Sequence, residues 1–307
     1  MNKLILLLSI ICYGSAFGQE ILITYDFPKI DMHLHSSWWG VPEIKEPLTG
    51  LKSYSNQTTH RDSTLAYLKR YNFVKAVTDG NFALDYQKRQ PDLIMRAMSP
   101  KQYPPSDTLL TSLRNSFENG TYKLLAEFSP QYRGLGPTDD SLEPYFALAE
   151  EMNVPIGIHM GLGAPGAAYA GSPKYRMKLS NPLLIEDVLI KHPKLRIYIM
   201  HAGWPFIDEL IGLLYAHPQV YIDVSVINWV LPRAEFHNYL KRIFEAGLGD
   251  RVMYGSDQMQ WPQSIKISIE NIVTADFLTD QQKKDVFYNN AAKFLQLSEE
   301  EMKKHKK

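Results

Sequence analysis

The sequence predicts an α/β fold, a single-domain (β/α)8 TIM barrel with extra helices at its C-terminal end. Eight short apolar runs recur along the 307 residues, helical patterns separate several of them, and no low-complexity linker interrupts the series. Short buried strands that alternate with helices form parallel sheets, and eight such units close into a barrel. An open doubly wound sheet is the structural alternative. Its first strand is usually followed by a glycine-rich turn, whereas this strand leads into His33-Leu34-His35.

The apolar runs give the predicted strands in order. They lie at residues 30–33, 73–77, 93–97, 123–127, 154–159, 196–200, 220–224 and 251–254. Helices are predicted between them at residues 106–119, 141–153, 183–192, 206–217 and 235–247. Gly247 supplies a glycine stop for the last of these. Two more helical patterns, at residues 276–285 and 289–297, are expected to close the barrel.

Residues 1–18 have the pattern of a secretory signal peptide. A positive start precedes an apolar run at residues 4–13, which is too short to span a bilayer. Small residues then lead to a cleavage site between Gly18 and Gln19. We therefore expect a mature domain of residues 19–307 that is periplasmic or secreted.

Composition excludes several other classes of protein. The formal net charge is zero, so there is no basic excess with which to bind nucleic acid. No later segment approaches 18 consecutive apolar residues, which predicts no membrane span. Cys12 is the only cysteine and precedes the cleavage site, so the mature chain would have neither disulfides nor thiolate ligands. The expected partner is a small-molecule substrate, and a homo-oligomer is left open.

Polar residues stand at the ends of four predicted strands. His33 and His35 lie two residues apart on the first strand and therefore point the same way. His159 closes the fifth strand, His201 the sixth, and Asp257 follows the eighth. The carboxyl ends of barrel strands share the face that carries the active site. Histidine and carboxylate ligands suit a divalent ion, with Zn²⁺ expected first.

These motifs resemble the amidohydrolase superfamily, in the amidohydrolase-related branch that also contains aromatic-acid decarboxylases. The motifs that carry the likeness are IDMHLH at 30–35, LEPY at 142–145, GIHMG at 157–161, HAG at 201–203, YGSD at 254–257 and NNAAKFL at 289–295. Together they span nearly the whole mature chain.

The resemblance implies a ligand set for the metal. Its members are His33, His35, His159 and Asp257. His201 would lie beside the ion, where it would polarise the substrate or complete a second metal site. Glu127 ends the fourth strand, where relatives place a carboxylate or lysine that reaches the metals. We expect one ion per chain, with a second, bridged ion left open.

These residues predict a metal-dependent hydrolase. A divalent cation lowers the pKa of bound water towards 7. Asp257 would take the proton of that water and pass it to the leaving group, while His201 would donate to the developing oxyanion. The expected substrate is a small organic ester, lactone or amide. Two alternatives stay open: a metal-dependent decarboxylase of an aromatic or unsaturated acid, and a catalytically inactive barrel that serves as a binding module.

Four further residues are candidates for substrate binding. Trp38 and Trp39 follow the histidine pair and would wall the pocket. Arg133 and Arg176 lie in loops after the fourth and fifth strands, where they would clamp a substrate carboxylate. Asp223, near the end of the seventh strand, is assigned a structural role alone.

Overall fold

The computed structural model describes residues 27–305, in which eight parallel strands pair in chain order. The predicted signal peptide and Cys12 lie outside this part. The strands are β1 (Lys29–His35), β2 (Phe73–Asp79), β3 (Ile94–Met98), β4 (Leu124–Phe128), β5 (Ile156–His159), β6 (Ile197–Met200), β7 (Val220–Asp223) and β8 (Val252–Met253). Two backbone bonds join the end of β8 to β1: Met32 donates to Tyr254 at 3.0 Å and Asp257 to His33 at 2.7 Å. The predicted TIM barrel is confirmed.

Helices lie between the strands and after β8. Those on the barrel are α1 (Gln57–Arg70), α2 (Ala83–Arg89), α3 (Asp107–Glu118), α4 (Glu143–Glu151), α5 (Glu186–Lys191), α6 (Ile207–Ala216), α7 (Ile227–Val230) and α8 (Arg233–Glu245). Those that follow are α9 (Ser264–Val273), α10 (Asp280–Lys284), α11 (Asn290–Phe294) and α12 (Glu299–His305). A π-helical turn, Asp285–Asn289, joins α10 to α11, so the two predicted C-terminal helices form one continuous helical segment.

Local sequence explains where several helices begin. Asn56 caps α1 by accepting from the backbone of Thr59, and Ser106 caps α3 by accepting from Leu109. Thr279 begins α10 with a reciprocal capping box. In each case the capping side chain satisfies a backbone N–H that the first turn of a helix leaves without a partner.

The hydrophobic core lies mainly between the sheet and the surrounding helices. Leu68 of α1, Leu113 of α3 and Leu213 of α6 are buried in it. A second, smaller cluster joins strand residues such as Leu124 to Phe294 of α11. The two clusters hold the strands in place, and the carboxyl ends of the strands carry the polar residues of the candidate site.

The long loop after β1 is tied to the loop after β8. Gln260 accepts from the backbone of Trp39 at 2.9 Å and donates to the carbonyl of Ser37 at 2.7 Å. The Trp261 indole donates to the carbonyl of Ile44 at 3.0 Å. These bonds hold one side of the barrel mouth in place.

Within residues 27–305, no helix combines the length and the apolar character that crossing a membrane requires.

Candidate metal centre

Left-handed backbone turns position two of the candidate residues. His201 has φ of 58° after β6, and Asp257 has φ of 44° after β8. Residues other than glycine rarely adopt this region, and such conformations cluster at functional sites. Gly255 lets the end of β8 approach β1 and β7, since a Cβ there would lie 2.9 Å from Ser225 Cβ and 3.0 Å from His33 Cβ. The sharp turns bring both side chains to the barrel mouth.

Two histidines and a carboxylate converge on one side of the centre. The Nε2 atoms of His33 and His35 lie 3.2 Å apart. Asp257 places Oδ1 at 3.0 Å from His35 Nε2 and 3.8 Å from His33 Nε2. Its Oδ2 lies 3.9 Å from His201 Nδ1. Asp257 therefore reaches both the histidine pair and His201.

Glu127 links this group to the other two histidines. His159 Nδ1 contacts Glu127 Oε1, and His201 Nε2 lies 3.2 Å from His159 Nδ1 and 3.6 Å from Glu127 Oε1. The other carboxylate oxygen, Glu127 Oε2, lies 3.7 Å from His35 Nε2. The structure thus brings together all the polar residues that the sequence placed at strand ends: His33, His35, Glu127, His159, His201 and Asp257.

An outer layer of polar residues orients these rings. Asp79, at the end of β2, accepts from His35 Nδ1 at 2.7 Å. Ser225 lies between two rings, with its Oγ 2.9 Å from His33 Nδ1 and 3.0 Å from His201 Nδ1. Such partners fix the tautomer and the orientation of metal-binding histidines.

Asp223 also belongs to the centre, although the sequence suggested a structural role alone. Its Oδ1 accepts from the backbone N–H groups of His201 and Ser225, and its Oδ2 lies 3.7 Å from His33 Nδ1. The sequence reading did not single out Asp79 or Ser225. Asp79 ends β2 and Ser225 follows β7. Both are polar residues at the end of a buried strand, the same pattern by which the other site residues were selected.

Mutual charge perturbs the buried groups strongly. Burial alone would raise the pKa of Asp257, but the nearby His33 and His35 lower it to about 2. Burial would also raise the pKa of Glu127, which His159 holds well below its usual value. Burial alone would lower the pKa of His201, yet Glu127, Asp257 and Asp223 raise it to about 9. Strongly perturbed pKa values of this kind cluster at functional sites.

The donor set fits a divalent cation. His35 lies between two carboxylates, with Nδ1 2.7 Å from Asp79 Oδ1 and Nε2 3.0 Å from Asp257 Oδ1. Burial alone would lower the pKa of His35, but these carboxylates raise it well above its ordinary value, so a metal ion on Nε2 would replace a proton that the ring holds towards Asp257. Two acceptors 3.0 Å apart need a proton or a metal ion between them. Three overlapping groups keep their ligand atoms within 4.8 Å: His33, His35 and Glu127; Glu127, His159 and His201; and His33, His201 and Asp223. His33, Glu127 and His201 each belong to two of these groups, so the groups form one continuous cluster, and none of the three includes Asp257.

A cavity of about 580 Å³ opens above the cluster. His35, Glu127, His159, His201 and Asp257 form its polar floor, and most of its other lining residues are apolar. Trp39 lines it, whereas Trp38 is absent from its wall. Arg133 lines a separate cavity, and Arg176 donates to the carbonyls of Pro173 and Tyr175.

A known protein family matches the part of the chain that contains these strand-end motifs. A family model described as Amidohydrolase matches residues 30–297. The chain belongs to the amidohydrolase family. The resemblance drawn from the sequence is therefore confirmed, and the chain is an enzyme of this metal-dependent family.

Individual relatives of this amidohydrolase are distant. Protein fluG of Emericella nidulans is 19% identical over 169 residues, which are 50% of this chain and 19% of that protein, so the match spans about a fifth of the relative's length. A probable 2-pyrone-4,6-dicarboxylic acid hydrolase from Acinetobacter baumannii is 16% identical with a TM-score of 0.62, over 88% of this chain and 99% of that chain. A manganese-bound 5-carboxyvanillate decarboxylase from Novosphingobium aromaticivorans is 14% identical with a TM-score of 0.62, over 89% and 98%. At these identities the structural matches support the fold.

Proposed function

We propose that this chain is an exported, metal-dependent hydrolase of a small organic ester, lactone or amide. The observation that carries the proposal is the position of Asp257, whose two oxygens face the His33–His35 pair and His201 respectively. A carboxylate in that position can touch a metal ion and exchange a proton with a reacting group. A binding module has no need of such a group.

The proposed ligands of one Zn²⁺ are His33, His35, His159 and Asp257. A bound divalent cation would supply a water that ionises near neutral pH and would polarise a carbonyl. Asp257 is ionised at neutral pH, since its pKa lies near 2, and accepts the proton of the attacking water. The protonated carboxyl then delivers that proton to the leaving oxygen or nitrogen.

His201 is proposed to stabilise charge on the substrate. Its ring lines the cavity, and its raised pKa keeps a proton available for donation. A hydrogen bond from this ring would become stronger as negative charge grows on the carbonyl oxygen. Glu127 contacts His159 and lies 3.6 Å from His201, so it would be among the residues that hold a second ion if one binds.

Metal analysis together with Asp257→Asn tests this proposal. We expect about one zinc ion per wild-type chain, and about a 10²–10⁴-fold loss of kcat in the variant, the range for general acid–base catalysis. Asp107→Asn, on the exposed face of α3, is the matched control and should keep wild-type kcat. Full turnover by Asp257→Asn would remove Asp257 from the mechanism.

Decarboxylation is the second candidate, and the fold relative that acts on 5-carboxyvanillate favours it. The two reactions differ in their products. Ester and lactone hydrolysis gives a carboxylate, an alcohol group and a proton, and amide hydrolysis gives a carboxylate and a protonated amine, whereas decarboxylation releases carbon dioxide. Assaying both against one panel of aromatic acids and their esters separates them, and carbon dioxide release without hydrolysis would favour the lyase.

Export is tested by expressing the full chain in a bacterial host, locating the protein by cell fractionation and measuring its mass by mass spectrometry. The proposal predicts a periplasmic or secreted protein that begins near Gln19. A cytoplasmic product that retains residues 1–18 would contradict it.

A further inference from the structure

We infer that the substrate carries an uncharged aromatic or branched aliphatic group beyond its reacting bond, and no anionic group in that part. The inference rests on the proposed function, because it takes the polar floor of the cavity as the place where the reacting bond lies. It concerns the rest of the cavity, which the proposed reaction does not specify.

Indole rings line part of the upper cavity. Four tryptophans line it: Trp39, Trp204, Trp229 and Trp261. The Trp229 N–H donates to the carbonyl of Ser256 at 2.7 Å, and the Trp261 N–H donates to that of Ile44 at 3.0 Å. Because these N–H groups are already bonded within the protein and both rings are largely buried, the edge that each contributes to the cavity is carbon. Such surface favours apolar and aromatic groups.

The remaining wall is aliphatic. Its residues include Leu162, Val226, Val230, Leu231 and Met259. At the mouth, Trp39 is 53% exposed and Leu48 is 61% exposed, so apolar surface continues to solvent. The volume of about 580 Å³ lies within the range of small-molecule pockets and would admit a group of one or two rings.

The described residues of this wall offer little to pair with an anionic group. They include no arginine, and their one lysine, Lys45, is exposed at the mouth. The wall carboxylate Glu46 already accepts from Leu48 and Thr49. A carboxylate on this part of the substrate would therefore lose part of its hydration without gaining a buried cationic partner.

A matched pair of metal-binding probes tests the inference without requiring turnover. The probes are benzohydroxamic acid and 4-carboxybenzohydroxamic acid, which share a chelating group and differ in a distal carboxylate. We expect the uncharged ring to bind the metal-loaded protein about 10–100-fold more tightly, the ratio expected for an unpaired buried polar group. Quenching of tryptophan fluorescence and calorimetry both report the dissociation constants. Equal affinities, or no binding of either probe, would overturn the inference.

Leu231→Arg should reduce the ratio between the affinities for the uncharged and the carboxylated probe. Leu231 lies between α7 and α8, is part-buried, and lines the wall, so an arginine there would supply the missing cation. Leu231→Gln is the control, because it is polar without charge and should leave the ratio near that of the wild type.

Failure of the inference is distinguishable from failure of the proposed function. Hydrolysis without discrimination between the probes would refute the inference alone. Discrimination without hydrolysis of any ester, lactone or amide would refute the hydrolase proposal and leave the selectivity of the wall in place.

Discussion

Removal of the Asp79 carboxylate should weaken metal binding although Asp79 is not a proposed ligand. The Oδ1 of Asp79 lies 2.7 Å from His35 Nδ1 and fixes the tautomer that leaves Nε2 free for a cation. In Asp79→Ala the ring can rotate, or carry its proton on Nε2. Either change removes a ligand for part of the time.

The size of the effect follows from this contact. Loss of such a partner typically costs 10–100-fold in metal affinity, which is about 1.4–2.7 kcal/mol. Asp79→Asn keeps an oxygen that accepts from Nδ1 but lacks the charge, so a smaller loss, about tenfold or less, is expected. The order wild type, Asn, Ala is the signature of an orienting hydrogen bond.

Competition with a chromogenic chelator measures these affinities. Glu186→Ala is the matched control. Glu186 accepts a hydrogen bond of 3.1 Å from His217, and neither residue lines the cavity, so this substitution should leave metal affinity unchanged. Wild-type affinity in Asp79→Ala would refute the orienting role. A loss of equal size in Glu186→Ala would show a general effect of removing such carboxylates.

Three further predictions concern the surroundings of the centre. Gly255→Ala should lower kcat/KM about 10²-fold, because the added Cβ forces β8 away from His33; steady-state kinetics near the wild-type value would contradict this. Asp31 accepts from the backbone of His33 at 3.0 Å, so Asp31→Ala should release metal to the chelator more readily than Asp31→Asn, which retains an acceptor; identical release would remove that role. Arg133→Ala and Arg176→Ala should each leave KM within about twofold of the wild-type value, as surface substitutions usually do. A large rise in KM in either variant would show that the arginine does contact the substrate.

Apolar runs were sufficient to predict the barrel, because parallel strands buried on both faces have a simple sequence pattern. The helical patterns were less complete. α1 was not among the predicted helices, since its sequence is largely polar and few of its residues are buried. The predicted helix at 183–192 begins in the structure with the 3-10 turn Pro182–Ile185 before α5, and the periodicity of its apolar residues does not distinguish those two conformations.

The candidate site was predictable to the extent that its residues end strands. Glu127, His159 and Asp257 could be placed at one face from the barrel alone. The partners of those side chains could not be predicted in the same way. Asp79 and Ser225 act through contacts between strands distant in sequence, and any acidic or hydroxyl residue after a strand could be a cap or loop residue instead.

The most direct test of the account is an anomalous difference map collected at the zinc edge from crystals of the metal-loaded protein. We predict a peak within about 2.0–2.2 Å of His33 Nε2, His35 Nε2, a ring nitrogen of His159 and an oxygen of Asp257. A zinc ion bound elsewhere, with Asp257 outside its coordination sphere, would contradict the central claim that these strand ends form one metal centre.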